Sequence, residues 1–228
     1  MDKKYQNDYK NKPNLFHLTT FDNIPNILRY GLRSRYELEN KSGILKRDIA
    51  DKDIIDFRKK HDITKYVPFH FMIHSPFAGD VMRDPRKCNA TFVYIVISRE
   101  YAKENDFKII PKHPMCSDYK HLGEVPLYDY QDGFDKIDWT NMNKRAFNDY
   151  DSKIACLAEC VSDHHLNIGK MMWMGVASLA VKNLTDKKKL ISICTGLYNP
   201  NTRPFFEHHI WVSNFFFDYM IKRRGCYV

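Results

Sequence analysis

The chain has no run approaching the ~20 apolar residues that span a bilayer, so no membrane-spanning helix is expected. Its opening residues, Met1 to Pro13, are polar and charged and offer no apolar segment for a secretory signal. Together these absences predict a cytoplasmic protein with no membrane partner. In that compartment the six cysteines, Cys88, Cys116, Cys156, Cys160, Cys194 and Cys226, are expected to be reduced thiols. None belongs to a C-x-x-C pair, which removes the usual frame for structural zinc. Cys156 and Cys160 followed by His164 and His165 do not have a finger spacing either, so no metal is expected. The P-loop G-x-x-x-x-G-K-[ST], the dinucleotide G-x-G-x-x-G and the zinc-protease H-E-x-x-H are all missing. A P-loop NTPase, a Rossmann dehydrogenase and a zincin are therefore disfavoured. There is no internal repeat and no low-complexity segment.

What is present suits a soluble globular protein. The 228 residues are enough for one domain with a substantial core, and 43% are hydrophobic. The formal net charge of +8 attracts polyanions, of which nucleic acid is the commonest. The plainer reading of that charge is a merely soluble basic protein. Most of the aromatic residues are expected in the core, and some are available for stacking.

Residues 1–13 read as a polar arm and 14–228 as a single domain. Asn14 to Leu18 predicts a short strand. Asp22 or Asn23 then caps a helix with Pro25 in its first turn, and Gly31 stops it as a left-handed residue. Residues 33–46 read as a loop and 48–60 as a helix. Residues 66–73 alternate, with Val67, Phe69, Phe71 and Ile73 on one face, and Pro68 points to an edge strand or a bulge. Residues 91–98 read as a buried central strand and 106–110 as a short one. Residues 111–135 read as a long loop, 137–150 as a helix and 153–162 as a strand, although Ala155 to Cys160 also suits a helix. Residues 171–184 read as a helix, and 190–195 and 209–217 as strands. The sum is an α+β domain of about six strands and three to five helices. It lacks the alternation of a doubly wound fold.

Three polar positions stand out. His17 and Thr19 end a strand directly before a capped helix. Arg58 ends an apolar-faced helix. Glu159 lies in the apolar run Ala155 to Val161, where a carboxylate is costly unless paired or working in a cleft. Each has a structural alternative: a satisfied core histidine, a surface arginine, a structural ion pair.

Five segments, in order across residues 15–185, resemble the DarT family of DNA ADP-ribosyltransferases. LFHLTTFDNIPNILRYGLRSR (15–35) resembles the family's opening H-x-T-x-x-x-N-(L/I)-x-x-I-L-x-x-G-L. RDIADKDIIDFR (47–58) resembles the stretch that ends in its NAD-site arginine. YVPFHFMIHSPF (66–77) is similar to YVPFYF-x-x-x-SPM, and DKIDWTNMNKRAFND (135–149) to the helix before the catalytic strand. ACLAECVSDHHL (155–166) resembles the segment carrying the catalytic glutamate. The sequence departs from the family at His70, where the family has tyrosine, and at 111–115, which read PKHPM.

The resemblance implies a split, mostly antiparallel ADP-ribosyltransferase sheet with flanking helices, and NAD+ as substrate. The implied acceptor is a base of nucleic acid, single-stranded DNA or, alternatively, RNA. Toxin or phage-defence biology with a cognate antitoxin is implied as well. A non-catalytic nucleic-acid-binding module is the rival reading. Glu159 is the implied catalytic carboxylate, stabilising the oxocarbenium ribose and taking the acceptor's proton. Arg58 would hold the dinucleotide. His17, Thr19, Asn23, Gly31, Tyr66 and Phe69 would surround it, and the 111–135 loop, with His113, would present the acceptor. Glu159→Ala is expected to spare the fold.

Overall fold

The computed structural model describes residues 8–41, 43–84 and 89–221. Residues 1–7 of the polar arm, and Cys88 and Cys226, lie outside the described residues. Eight strands form one sheet: β1 (Asn14–Thr20), β2 (Val67–His70), β3 (Phe92–Ser98), β4 (Lys108–Ile110), β5 (Tyr128–Asp129), β6 (Glu159–Ser162), β7 (Ala177–Val181) and β8 (Ile210–Val212). Their order is β5-β4-β6-β2-β1-β3-β7-β8. Every neighbouring pair is antiparallel except β7 and β8.

The sheet is split near its middle. β1 runs along β3 from Asn14↔Ser98 to Thr20↔Phe92, but meets β2 only at Phe16↔His70. Pro68 explains part of this, because it has no N–H to place in a ladder. Its carbonyl is taken by the side chain of His17 instead, at 2.8 Å. The two half-sheets therefore diverge beside β1 and β2.

Apolar side chains fill both faces. Val93, Ile95 and Ile97 of β3 enter the larger core, while Phe92, Tyr94 and Val96 enter a second core with Val81, Met82 and Phe217. That two-sided burial is why residues 91–98 read as an unbroken apolar run. The helix Pro76–Arg83, capped by Ser75, closes the second face. The segment before β1 also docks. Tyr9 is buried, and Arg99 reaches the carbonyls of Lys10, Asn14 and Phe71. No helix among the described residues is long and apolar enough to cross a membrane.

Several elements differ from the sequence reading. The stretch 153–162 is half helix: Tyr150–Ala155 is helical, capped by Asp149, and β6 begins only at Glu159. Residues 190–195 belong to the helix Leu184–Leu197, capped by Asn183. There Leu190, Ile191 and Cys194 share a buried helical face that a six-residue window reads as a strand. Residues 171–184 break at Gly175, with φ +73°, into the end of one helix and β7. Residues 209–217 hold the last residue of the helix Arg203–His209, β8 and the start of the helix Asn214–Ile221. The two long loops hold structure of their own: Arg35–Glu39 with a Ser34/Glu37 capping box, and the helices Ser117–Leu122 and Tyr130–Lys136 around β5. Gly31 has φ +85° but ψ 160°, an extended glycine conformation and not a left-handed helical one. Thirteen α-helices among the described residues exceed the number expected from sequence.

Candidate active site

A cleft opens where the sheet divides. His17 comes from β1, Pro68 and His70 from β2, and Glu159 from the first position of β6. Antiparallel pairing places Glu159 between His70 on one side and Ile110 of β4 on the other. Three residues past Ile110, His113 turns back into the same cleft. Its N–H donates to the Ile154 carbonyl at 3.0 Å, tying the loop to the helix that precedes β6.

Glu159 is 5% exposed and Arg58 8% exposed, and Arg58 Nη1 donates to Glu159 Oε2 at 2.7 Å. The arginine is not the surface charge that its sequence setting also allowed. The helix Lys52–Lys60, started by Asp51, ends in a turn with Asp62 at φ +53°. From that last turn the guanidinium reaches the cleft, and Nη2 also donates to Ile63 O at 3.3 Å. So the structural partner that a buried glutamate requires is the other candidate residue.

Three imidazoles surround this pair. Burial holds His17 well below its ordinary range, at about 4. Burial likewise brings His113 to about 4, partly opposed by the Glu159 charge. His70 is pushed down too, again by burial first and against Glu159. All three are therefore neutral at pH 7. Because the Pro68 carbonyl can only accept, His17 carries its proton on Nδ1, and its Nε2 is left as an acceptor.

Thr19, Gly31 and Tyr66 line the cleft as well. A Cβ on Gly31 would stand 3.1 Å from Leu166 O and 3.3 Å from the His165 ring, and the positive φ disfavours one in any case. Asn23 is different from the expectation. It neither caps the helix nor has polar capacity left for a ligand. Its Nδ2 donates to Thr19 Oγ1 and to the Arg47 carbonyl, and its Oδ1 accepts from the N–H groups of Lys46 and Arg47. It positions the 46–47 backbone over the cleft. Phe69 is also placed differently. Side chains alternate along β2, so Pro68 and His70 face the cleft while Phe69, fully buried, points into the core on the other side.

The sequence reading missed His70 as a site residue, although its departure from the family pattern marked it. It also missed Arg33, whose Nε is buried without a hydrogen-bond partner, and Arg47, which is only 3.5 Å-paired to Asp22. Both line the cleft, but lie in a segment with no readable period. Among the described residues no group of three or more His, Cys, Asp or Glu side chains is arranged to hold a metal.

Residues 16–204 match the family described as "ssDNA thymidine ADP-ribosyltransferase, DarT". Among solved structures, Thermus sp. 2.9 DarT in complex with ADP-ribosylated ssDNA is similar, at 17% identity and TM-score 0.66, over 90% of this chain and 95% of that one. The same Thermus protein in complex with NAD+ is 16% identical, with TM-score 0.63, over 90% and 98%. Thermosipho africanus DarTG in complex with ADP-ribose is 19% identical, with TM-score 0.64, over 86% of this chain and 51% of that one. No curated protein matches the chain. At such identities the structural likeness establishes the fold, whereas the family match covers most of the sequence. On that match, the chain belongs to the DarT family of single-stranded-DNA thymidine ADP-ribosyltransferases.

Proposed function

We propose that the chain transfers ADP-ribose from NAD+ to thymine bases of single-stranded DNA, with Glu159 and Arg58 as its catalytic residues. The observation that carries this reading is the buried Arg58–Glu159 pair, set in a cleft at the split of the sheet. When the bond between ribose C1″ and nicotinamide breaks, nicotinamide leaves with the electron pair and the ribose takes on oxocarbenium character. A carboxylate fixed beside that carbon stabilises it. Oε2 of Glu159 is held by Arg58, so its other oxygen is the one offered to the ribose 2″-hydroxyl. Arg58 thus orients the carboxylate and adds positive charge toward the dinucleotide. Arg33 and Arg47 on the rim suit the pyrophosphate. The Nε2 lone pair of His17 suits the nicotinamide amide or a ribose hydroxyl, and Thr19 and Tyr66 complete the wall. Thymine offers one ring N–H, at N3, and His113, lining the cleft from the 111–135 segment, suits contact with the acceptor. A single strand presents that base without the cost of flipping it from a duplex.

Support comes from the family match and from the similar Thermus structures in complex with NAD+ and with ADP-ribosylated ssDNA. An enzyme of this kind modifies the DNA of its own cell. We therefore also propose a toxin or phage-defence role in the cytoplasm, held in check by a cognate antitoxin. The deciding experiment supplies labelled NAD+ with separate pools of single-stranded DNA, duplex DNA, RNA and protein. Label should appear in single-stranded DNA and depend on thymidine. Label only in RNA or protein, or none anywhere, overturns the reading.

A further inference from the structure

We propose that His70 takes up the proton that the acceptor thymine loses from N3 as that nitrogen joins the ribose; this rests on the function proposed above. The balance is simple. The C1″–nicotinamide bond breaks, the N3–C1″ bond forms, and the N3 proton passes to an imidazole nitrogen of His70 and then to solvent.

Position supports the role. His70 and Glu159 are direct cross-strand partners on β2 and β6. Such partners hold their Cβ atoms about 4.5–5.5 Å apart on one face. The ring therefore stands next to the carboxylate at which the ribose cation forms. Its hydrogen-bonding state supports the role as well. Nδ1 of His70 is buried in the cleft wall with no hydrogen-bond partner, although the Ala158 backbone hydrogen-bonds the ring and favours its protonated form. Glu159 is committed through Oε2 to Arg58, and in the function proposed above its other oxygen serves the ribose.

The charged and titratable groups around the ring come from every neighbouring element: Glu159 of β6, Arg58 of the helix Lys52–Lys60, His17 of β1 and His113 after β4. Glu159 is the one anion in this set. It keeps an arriving proton on the ring favourable, while burial keeps the resting ring neutral and ready to accept. The resembling family carries tyrosine at this position. A phenol ordinarily titrates near about 10 and an imidazole near about 6.5, so this chain has a base where the family pattern has a weak acid.

The test compares the wild type with His70→Gln, which keeps hydrogen bonding but cannot take a proton. His70→Asn, which likewise cannot take a proton, is the second variant should the glutamine chain fold poorly. Transfer to a thymidine oligonucleotide and acceptor-free nicotinamide release are followed from acid to alkaline pH at saturating NAD+. Wild-type transfer should fall on the acid side of about pH 6.5, as the ring protonates. Both variants should lose that acid limb and transfer about 10²–10⁴-fold more slowly near neutrality. Their deficit should shrink at alkaline pH, where N3 ionises unaided, while nicotinamide release stays within about threefold of wild type. A variant that transfers at the wild-type rate with the acid limb intact overturns the proposal. So does an equal loss of transfer and nicotinamide release, which assigns His70 to NAD+ instead. A wild type that labels no nucleic acid removes the underlying function and this role with it.

Discussion

Replacing Glu159 tests fold and chemistry together, and the two effects separate by choice of substituent. Glu159→Ala leaves the Arg58 guanidinium with no carboxylate, in a site where both side chains are at most a tenth exposed. Breaking a buried pair from one side typically costs about 3–5 kcal/mol, because the remaining charge stays desolvated. For a domain of this size each kcal/mol moves Tm by about 2–4 °C, so the alanine variant should melt about 6–20 °C below wild type. This reverses the expectation from sequence that the substitution spares the fold. Glu159→Gln keeps an amide oxygen for Arg58 Nη1 and loses only the charge, so its cost should be nearer 1–2 kcal/mol, about the value of charge assistance in one hydrogen bond. Transfer should fall by about 10²–10³ or more in both, since the oxocarbenium centre loses its anion in each. Thermal unfolding and single-turnover transfer of labelled ADP-ribose to a thymidine oligonucleotide measure the two quantities. If alanine and glutamine melt together near wild type, the pair is not buried in solution. If the glutamine variant transfers within about tenfold of wild type, Glu159 is not the stabilising charge.

Asn23→Ala should release the Lys46–Arg47 backbone from the start of the first helix, raising the Kd for NAD+ more than it lowers kcat; a pure kcat effect would contradict the positioning role. Arg99 is buried among three carbonyls and lies over the rings of Phe71 and Trp139, so Arg99→Ala should cost about 3 kcal/mol or more in urea unfolding. Transfer per folded molecule should be unchanged, and a loss under about 1 kcal/mol would mean that the guanidinium does not anchor the segment before β1. For pH, His17 and His113 have folded values near 4 against an ordinary 6.5, so the unfolded chain binds more protons between these limits. Stability should be flat above about pH 6.5 and fall on acidification toward 4, by up to about 3 kcal/mol per histidine. His17→Gln should flatten part of that slope, and an unchanged slope would show that His17 is not buried neutral.

The sequence by itself determined the elements whose signals are local. β3 was legible because six consecutive apolar residues, Phe92 to Ile97, can only be buried on both faces. The turn at Gly31 was legible because a positive φ there calls for glycine. Glu159 and Arg58 were legible as anomalies, charged groups among apolar neighbours, and the family resemblance gave them a purpose. The sequence did not determine that two charges 101 positions apart would meet. Nor did it determine that Pro68 would lie where the two half-sheets part, with its carbonyl given to His17. It misjudged Phe69 because a strand's period shows which residues share a face, but not which face looks into a cleft. It misread 190–195 as a strand because a short apolar run satisfies either period until a neighbour buries one side of it. Long-range pairing made the difference at His70 as well. Only the β2–β6 register sets that imidazole opposite the carboxylate, and burial by both half-sheets keeps it neutral there.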